Sequence, residues 1–185
     1  MNYSDDLKIV WWGRGACGSG TMYDFLRNHY NLVENGRNSS GIPEGKEDYT
    51  VIINVRNPYS WELSTYFDVS EGNDMTFKDF LEEGGNRCAQ QRLDADYFIR
   101  CEDMYSEIQK IPIFKELPSG AKESLSNPKY QRSRPFITRT LLRDYWNEDL
   151  VKKYSKRYEN MFKITGYDMD SWKTGIHWRG WKPLK

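Results

Sequence analysis

The segment Thr50-Val51-Ile52-Ile53-Asn54-Val55 narrows the fold more than any other. It is largely β-branched and apolar, so it reads as a strand. Its near-continuous apolar character suits an internal, parallel position. The segment runs directly into Arg56-Asn57-Pro58. Proline is tolerated in the first turn of a helix, where the missing N–H has no partner anyway. A helix carrying Trp61, Leu63, Tyr66 and Phe67 is therefore predicted to follow.

A second apolar run, residues 7–12, ends at Gly13 and also reads as a buried strand. Residues 13–18 form a glycine-rich loop. From Ser19 the pattern turns helical, with Met22, Phe25 and Leu26 on one face, Ser19 as N-cap and an end near Asn28. Residues 30–33 are predicted as a short strand and residues 35–48 as a loop. Thr76-Phe77-Lys78-Asp79 opens a further helix with a capping-box pattern, stopped by Gly84-Gly85. Residues 96–100 read as another strand, and residues 118–135 as a long surface loop. Asn147 caps a final helical stretch in which Leu150, Tyr154, Tyr158 and Met161 recur. Strands alternating with helices imply an α/β fold with a mostly parallel sheet covered on both faces. A length of 185 residues suits a single domain, residues 1–185.

A strand, a glycine loop and a helix N-terminus make an anion site for a physical reason. The first helical N–H groups lack partners, and the dipole is positive there. Glycine lets a phosphate approach the backbone closely. Ser19 and Thr21 add hydroxyls, and Arg14 adds a charge. Gly13…Gly18 and Gly15…Gly20 both have the glycine spacing of a Walker A loop, but neither is followed by lysine, which disfavours ordinary nucleoside-triphosphate hydrolysis. Gly13-x-Gly15-x-x-Gly18 also fits a dinucleotide fingerprint, with Glu34 as the acid further on. That alternative, an NAD(P)- or FAD-binding protein, stays open on the loop alone.

The stretch Arg56-Asn57-Pro58-Tyr59-Ser60-Trp61-Glu62-Leu63-Ser64-Thr65-Tyr66 weighs against it. A guanidinium at a strand's C-terminal end and a hydroxyl on the following helix suit one phosphate. Taken with the loop, this stretch resembles the sulfotransferase family, in particular its carbohydrate-acting members, whose donor is 3′-phosphoadenosine 5′-phosphosulfate. In that family a short Gly/Ser/Thr loop takes the 5′-phosphosulfate, and a strand followed by R-x-P-x(5)-S-x-Y takes the 3′-phosphate. Cys17-Gly18-Ser19-Gly20-Thr21 looks like the first element, and Arg56, Pro58, Ser64 and Tyr66 match the second. Phe98-Ile99-Arg100-Cys101-Glu102-Asp103-Met104 and Tyr154…Phe162…Gly166-Tyr167 echo the family's later segments in order.

The resemblance implies a P-loop-like three-layer domain and sulfuryl transfer to a hydroxyl or amine of a small-molecule or glycan acceptor, with no metal. It implies that Arg14, Cys17, Gly18, Ser19, Gly20, Thr21, Arg56, Ser64 and Arg179 hold the donor. Arg14 and Glu34 would be the catalytic residues, with Glu34 as general base; Glu44, Glu47 and His29 are the other options for that role. One position departs from the family's pattern. Ala16 stands where a lysine or arginine usually precedes the loop glycine, so a catalytically degenerate nucleotide-binding module is the remaining alternative.

Composition closes off other classes. Lys+Arg and Asp+Glu each number 27, and zero net charge argues against a nucleic-acid partner. Cys17, Cys88 and Cys101 make an odd set without disulfide or zinc spacing. No apolar run approaches the roughly 20 residues that span a bilayer, and the polar start lacks a signal peptide's pattern. These features lead us to expect a protein of the reducing cytoplasm with no membrane partner. Aromatic residues make up 15% of the chain, with 13 Tyr and 7 Trp, so much of the core must be built from rings.

Overall fold

A computed structural model describes residues 1–13, 15–35, 41–70, 72, 74–85, 93–126 and 139–177. The expected sites Arg14 and Arg179 lie outside the described residues, as does Cys88. The chain divides into two compact units, each made of two segments: Met1–Arg56 with Asp94–Arg132, and Asn57–Leu93 with Ser133–Lys185.

The first unit contains the whole described sheet. Its strands are β1 (Asn2–Ser4), β2 (Ile9–Trp12), β3 (Thr50–Val55) and β4 (Tyr97–Arg100), in that spatial order. β3 pairs in parallel with both β2 and β4, as its apolar run predicts, with Val10 opposite Val51 and Ile53 opposite Phe98. β1 is antiparallel to β2 and escaped sequence reading because three mixed residues carry no periodic signal.

One sheet face presents Ile9, Trp11, Ile52 and Ile99 to a continuous apolar core. Helix α1 (Ser19–Tyr30) adds Met22, Phe25 and Leu26, the face read from its spacing. After β4, a 3-10 turn leads into α4 (Met104–Ile108), which contributes Met104 and Ile108, and α5 (Ala121–Ser126) closes this core with Ala121 and Leu125. Val10, Ile53 and Val55 point to the opposite face and are fully buried too.

Three local expectations need correction. The α1 N-cap is Gly18, not Ser19, in a left-handed conformation that a serine adopts only with strain. Residues 30–33 do not form a strand: α1 continues to Tyr30, Asn31 caps it at φ 48°, and Val33 makes a single bridge with Tyr3. Asparagine tolerates that conformation, which ends the helix later than its apolar face does. The expected loop after Pro118 contains α5, whose one turn and a half buries only Ala121 and Leu125 and so shows little periodicity.

The second unit is helical and rich in rings. α2 (Pro58–Val69), α3 (Phe77–Glu82), α6 (Arg139–Tyr145), α7 (Glu148–Tyr154), α8 (Glu159–Thr165) and α9 (Ser171–Thr174) compose it. Tyr59 packs edge-on against Trp146 at 4.9 Å and lies 5.2 Å from Phe162, while Trp146 packs edge-on against Phe77 at 5.1 Å. The Trp146 indole donates to the Tyr59 carbonyl at 3.1 Å, so this core is also pinned by direction. Tyr158 donates to the buried Glu62 carboxylate, and burial together with that negative charge raises the phenol far above its usual range. The capping box at Thr76 and Asp79 and the Asn147 cap form as predicted.

Candidate functional site

β2 ends at Trp12, and the chain crosses residues 13–18 before α1 begins. Two glycines fix this path by packing. A Cβ on Gly13 would lie 2.4 Å from the Trp11 ring and 2.9 Å from Ser19 Cβ. A Cβ on Gly18, already at φ +68°, would meet Met104 Sδ at 3.0 Å and Cys101 Cβ at 3.1 Å. At Gly15 a Cβ would meet nothing within 4 Å, so that glycine is not required by packing. Ala16 adopts φ +62°, a left-handed conformation unusual for a residue with a side chain.

The last residues of β3 hold the loop. Arg56 Nη1 donates to the Ala16 carbonyl at 2.8 Å. Asn54, fully buried within the strand, donates through Nδ2 to the Cys17 carbonyl at 3.2 Å and accepts from Trp11 Nε1 at 2.8 Å. An indole N–H only donates and a carbonyl only accepts, so this amide has one orientation that serves both. Two consecutive carbonyls therefore turn toward β3. In a trans peptide the N–H points opposite to the C=O, so the N–H groups of Cys17 and Gly18 turn the other way.

The start of α1 complements this arrangement. No side chain caps it, and its first turn holds no acidic residue. The first intrahelical bond runs from Met22 N to the Gly18 carbonyl, which leaves the N–H groups of residues 19–21 without a partner inside the helix. The positive end of the helix dipole is thus unneutralised by its own sequence. Ser19 is half-buried beside the loop. Thr21 is buried and forms part of a groove with Asp24, Phe25, Asn28 and Ser124. Burial and the neighbouring Glu102 push the Cys101 thiol well above its ordinary range, and Arg56 opposes them.

Glu34 is exposed, and its carboxylate accepts a hydrogen bond from Tyr23 OH. Tyr23 lies one turn into α1 and its ring rests 6.5 Å from that of Trp11. The carboxylate is thereby tied to the same platform that supports Gly13. Glu44 and Glu47 are exposed, and Glu47 accepts from Gly45 N at 3.1 Å within its own turn. His29 is exposed at the far end of α1, its ring against Phe25.

In the second unit, Ser64 is buried in the second turn of α2. Asn57 caps that helix by accepting from Tyr59 N at 3.1 Å, while its amide donates to Ser171 Oγ at 2.8 Å. Of the family's later echo, Arg100 pairs with the buried Glu107 at 2.6 Å and Asp103 caps α4. Gly166 ends α8 at φ 72° and Tyr167 is buried.

Sequence reading did not single out Asn54, Trp11 or Met104. The available signal was a polar residue inside an otherwise apolar strand, since an amide buried there requires partners. Among the described residues no group of His, Cys, Asp or Glu is placed to hold a metal, and no helix is long and apolar enough to cross a membrane. No family model matches the chain, and neither a curated protein nor a solved structure matches it.

Proposed function

We propose that the chain is a sulfotransferase of P-loop-like architecture that uses 3′-phosphoadenosine 5′-phosphosulfate and transfers its sulfuryl group to a hydroxyl or amine of a small-molecule or glycan acceptor. The observation that carries this reading is the loop between β2 and α1, whose carbonyls at Ala16 and Cys17 are drawn back by Arg56 and Asn54. Outward N–H groups and an uncapped helix start suit the oxygens of a phosphosulfate. The Arg56…Ser64 spacing supplies the second anion contact that a dinucleotide fold leaves unexplained.

In this mechanism the acceptor oxygen or nitrogen attacks sulfur in line. The bond from sulfur to the bridging oxygen breaks, and the 5′-phosphate leaves with the electron pair. The loop N–H groups, Ser19, Thr21 and Arg14 stabilise the charge that grows on the leaving group. Glu34, held by Tyr23, takes the acceptor proton. The resemblance assigns the 3′-phosphate to Arg56, Ser64 and Arg179. With Ala16 in place of the family's usual cation, charge stabilisation falls mainly on Arg14 and the backbone.

Thermal denaturation with candidate ligands tests the reading. Adenosine 3′,5′-bisphosphate should raise the melting temperature while NAD(P) and FAD do not, and Arg56→Ala should abolish the rise. Stabilisation by a dinucleotide instead would overturn it. Transfer of labelled sulfate from the donor to glycans and phenols separates an enzyme from a degenerate binding module.

A further inference from the structure

The geometry points to Asn54 as a positioning residue for the donor's 5′ end, acting with Arg56 by holding the Cys17 and Ala16 carbonyls inward so that the loop is a cradle before any ligand arrives. This inference rests on the functional reading above and extends it to a residue that the family resemblance does not include.

Asn54 lies at the C-terminal half of the central strand and is completely buried. The run around it is apolar, and every other position from Val51 to Val55 is filled by Val or Ile. An amide at such a position is retained only if both its ends are satisfied. Its oxygen takes the Trp11 indole at 2.8 Å and its nitrogen reaches the Cys17 carbonyl at 3.2 Å, with Met104 Sδ at 3.9 Å beyond. The second contact acts on the loop, one peptide away from the carbonyl that Arg56 holds at 2.8 Å.

The two clamps have a joint consequence. Ala16 at φ +62° and Gly18 at φ +68° alternate with Cys17, the alternation that aims successive N–H groups to one side. Left-handed alanine is unfavourable by itself, so the conformation requires an external hold, and Arg56 and Asn54 supply it. Gly18 is walled by Cys101 and Met104, which stops the loop from relaxing toward β4. Pre-organisation of this kind lowers the ordering cost of binding, and its effect is confined to the group that the loop contacts.

Two ligands separate this role from simple folding. Adenosine 3′,5′-bisphosphate carries a 5′-phosphate for the loop; adenosine 3′-monophosphate lacks it. Asn54→Leu, close in shape but without polar atoms, should weaken the bisphosphate about tenfold and leave the monophosphate within twofold. Equal losses for both would make Asn54 merely structural. Asn54→Asp keeps the acceptor for Trp11 and donates to Cys17 only while protonated. Its bisphosphate affinity relative to wild type should therefore fall as pH rises; a constant ratio would overturn the proposal. Should neither variant fold, titrating labelled wild-type protein with the bisphosphate decides the matter. The amide resonances of Cys17 and Gly18 should move together with those of residues 19–21, and unmoved Cys17 and Gly18 would overturn the inference. Failure of wild-type protein to bind the bisphosphate at all would instead sink the functional reading on which it rests.

Discussion

Helices α1 and α2 both begin just beyond the C-terminal end of a parallel strand, yet their first turns are built differently. At α2 the chain supplies its own partners: Asn57 accepts from Tyr59 N, Pro58 removes a donor, and Ser60 Oγ donates back to the Asn57 carbonyl at 3.1 Å. At α1 there is no capping side chain and no proline, and Gly18 enters left-handed. A capped start is closed and contributes stability. At α1 no side chain closes the start, and on the reading proposed above it is the one open to a ligand. The same strand–turn–helix order thus gives one start closed by its own side chains and one without a capping side chain.

The contrast is open to direct attack. The largest effect is expected from Gly13→Ala, because the new methyl meets an indole ring fixed by Asn54. Overpacking of this kind should cost roughly 2–3 kcal/mol in urea unfolding and abolish stabilisation by adenosine 3′,5′-bisphosphate. A normal ligand response in that variant would break the assignment of the α1 start as the open one. Asn57→Ala should cost about 1–2 kcal/mol through the lost cap, with the bisphosphate affinity of the folded protein unchanged in calorimetry. A large affinity loss there would mean that both starts bind ligand.

Ala16→Gly sharpens the comparison from the other side. Relief of the left-handed strain should outweigh the extra freedom of glycine in the unfolded chain, for a net gain of up to about 1 kcal/mol. Measured stability below wild type would show that the conformation at residue 16 is not strained. The smallest effect concerns a third helix start, α3. There the Thr76 hydroxyl and backbone N–H hold the Asp79 carboxyl below the ordinary carboxylate range. A depressed folded pKa means the contribution is present above about pH 4 and is lost as pH falls through the lowered value. Asp79→Asn should therefore lower stability near neutral pH and leave it nearly unchanged at the acid end, as melting curves across pH would register.

How far the site could be read in advance varied with the kind of signal. β3, the β2-to-α1 loop and Pro58 at the head of α2 were legible because each is written locally, in an apolar run, a glycine cluster and a fixed φ. The strand expected at residues 30–33 failed because Asn31 ends the helix by a left-handed turn, which apolar spacing does not encode. Ser19 lost the capping position by one residue because the tight wall at Gly18 sets the entry into α1. The ring-rich core expected from composition is found chiefly among the helices of the second unit, where Tyr59, Phe77, Trp146 and Phe162 pack together.

A mostly parallel sheet, a glycine loop placed before a helix, and the two segments that carry the resemblance are all written in the order of the residues. These depend on residues that are neighbours along the chain. The tertiary structure alone decided that Asn54 reaches across from β3 to Cys17, that Arg56 holds Ala16, and that Tyr23 presents Glu34. Two of those partnerships join residues 37 and 40 positions apart. Hydrogen-bond geometry at such separations is set by how strands and loops pack in space, and no local pattern in the chain records it.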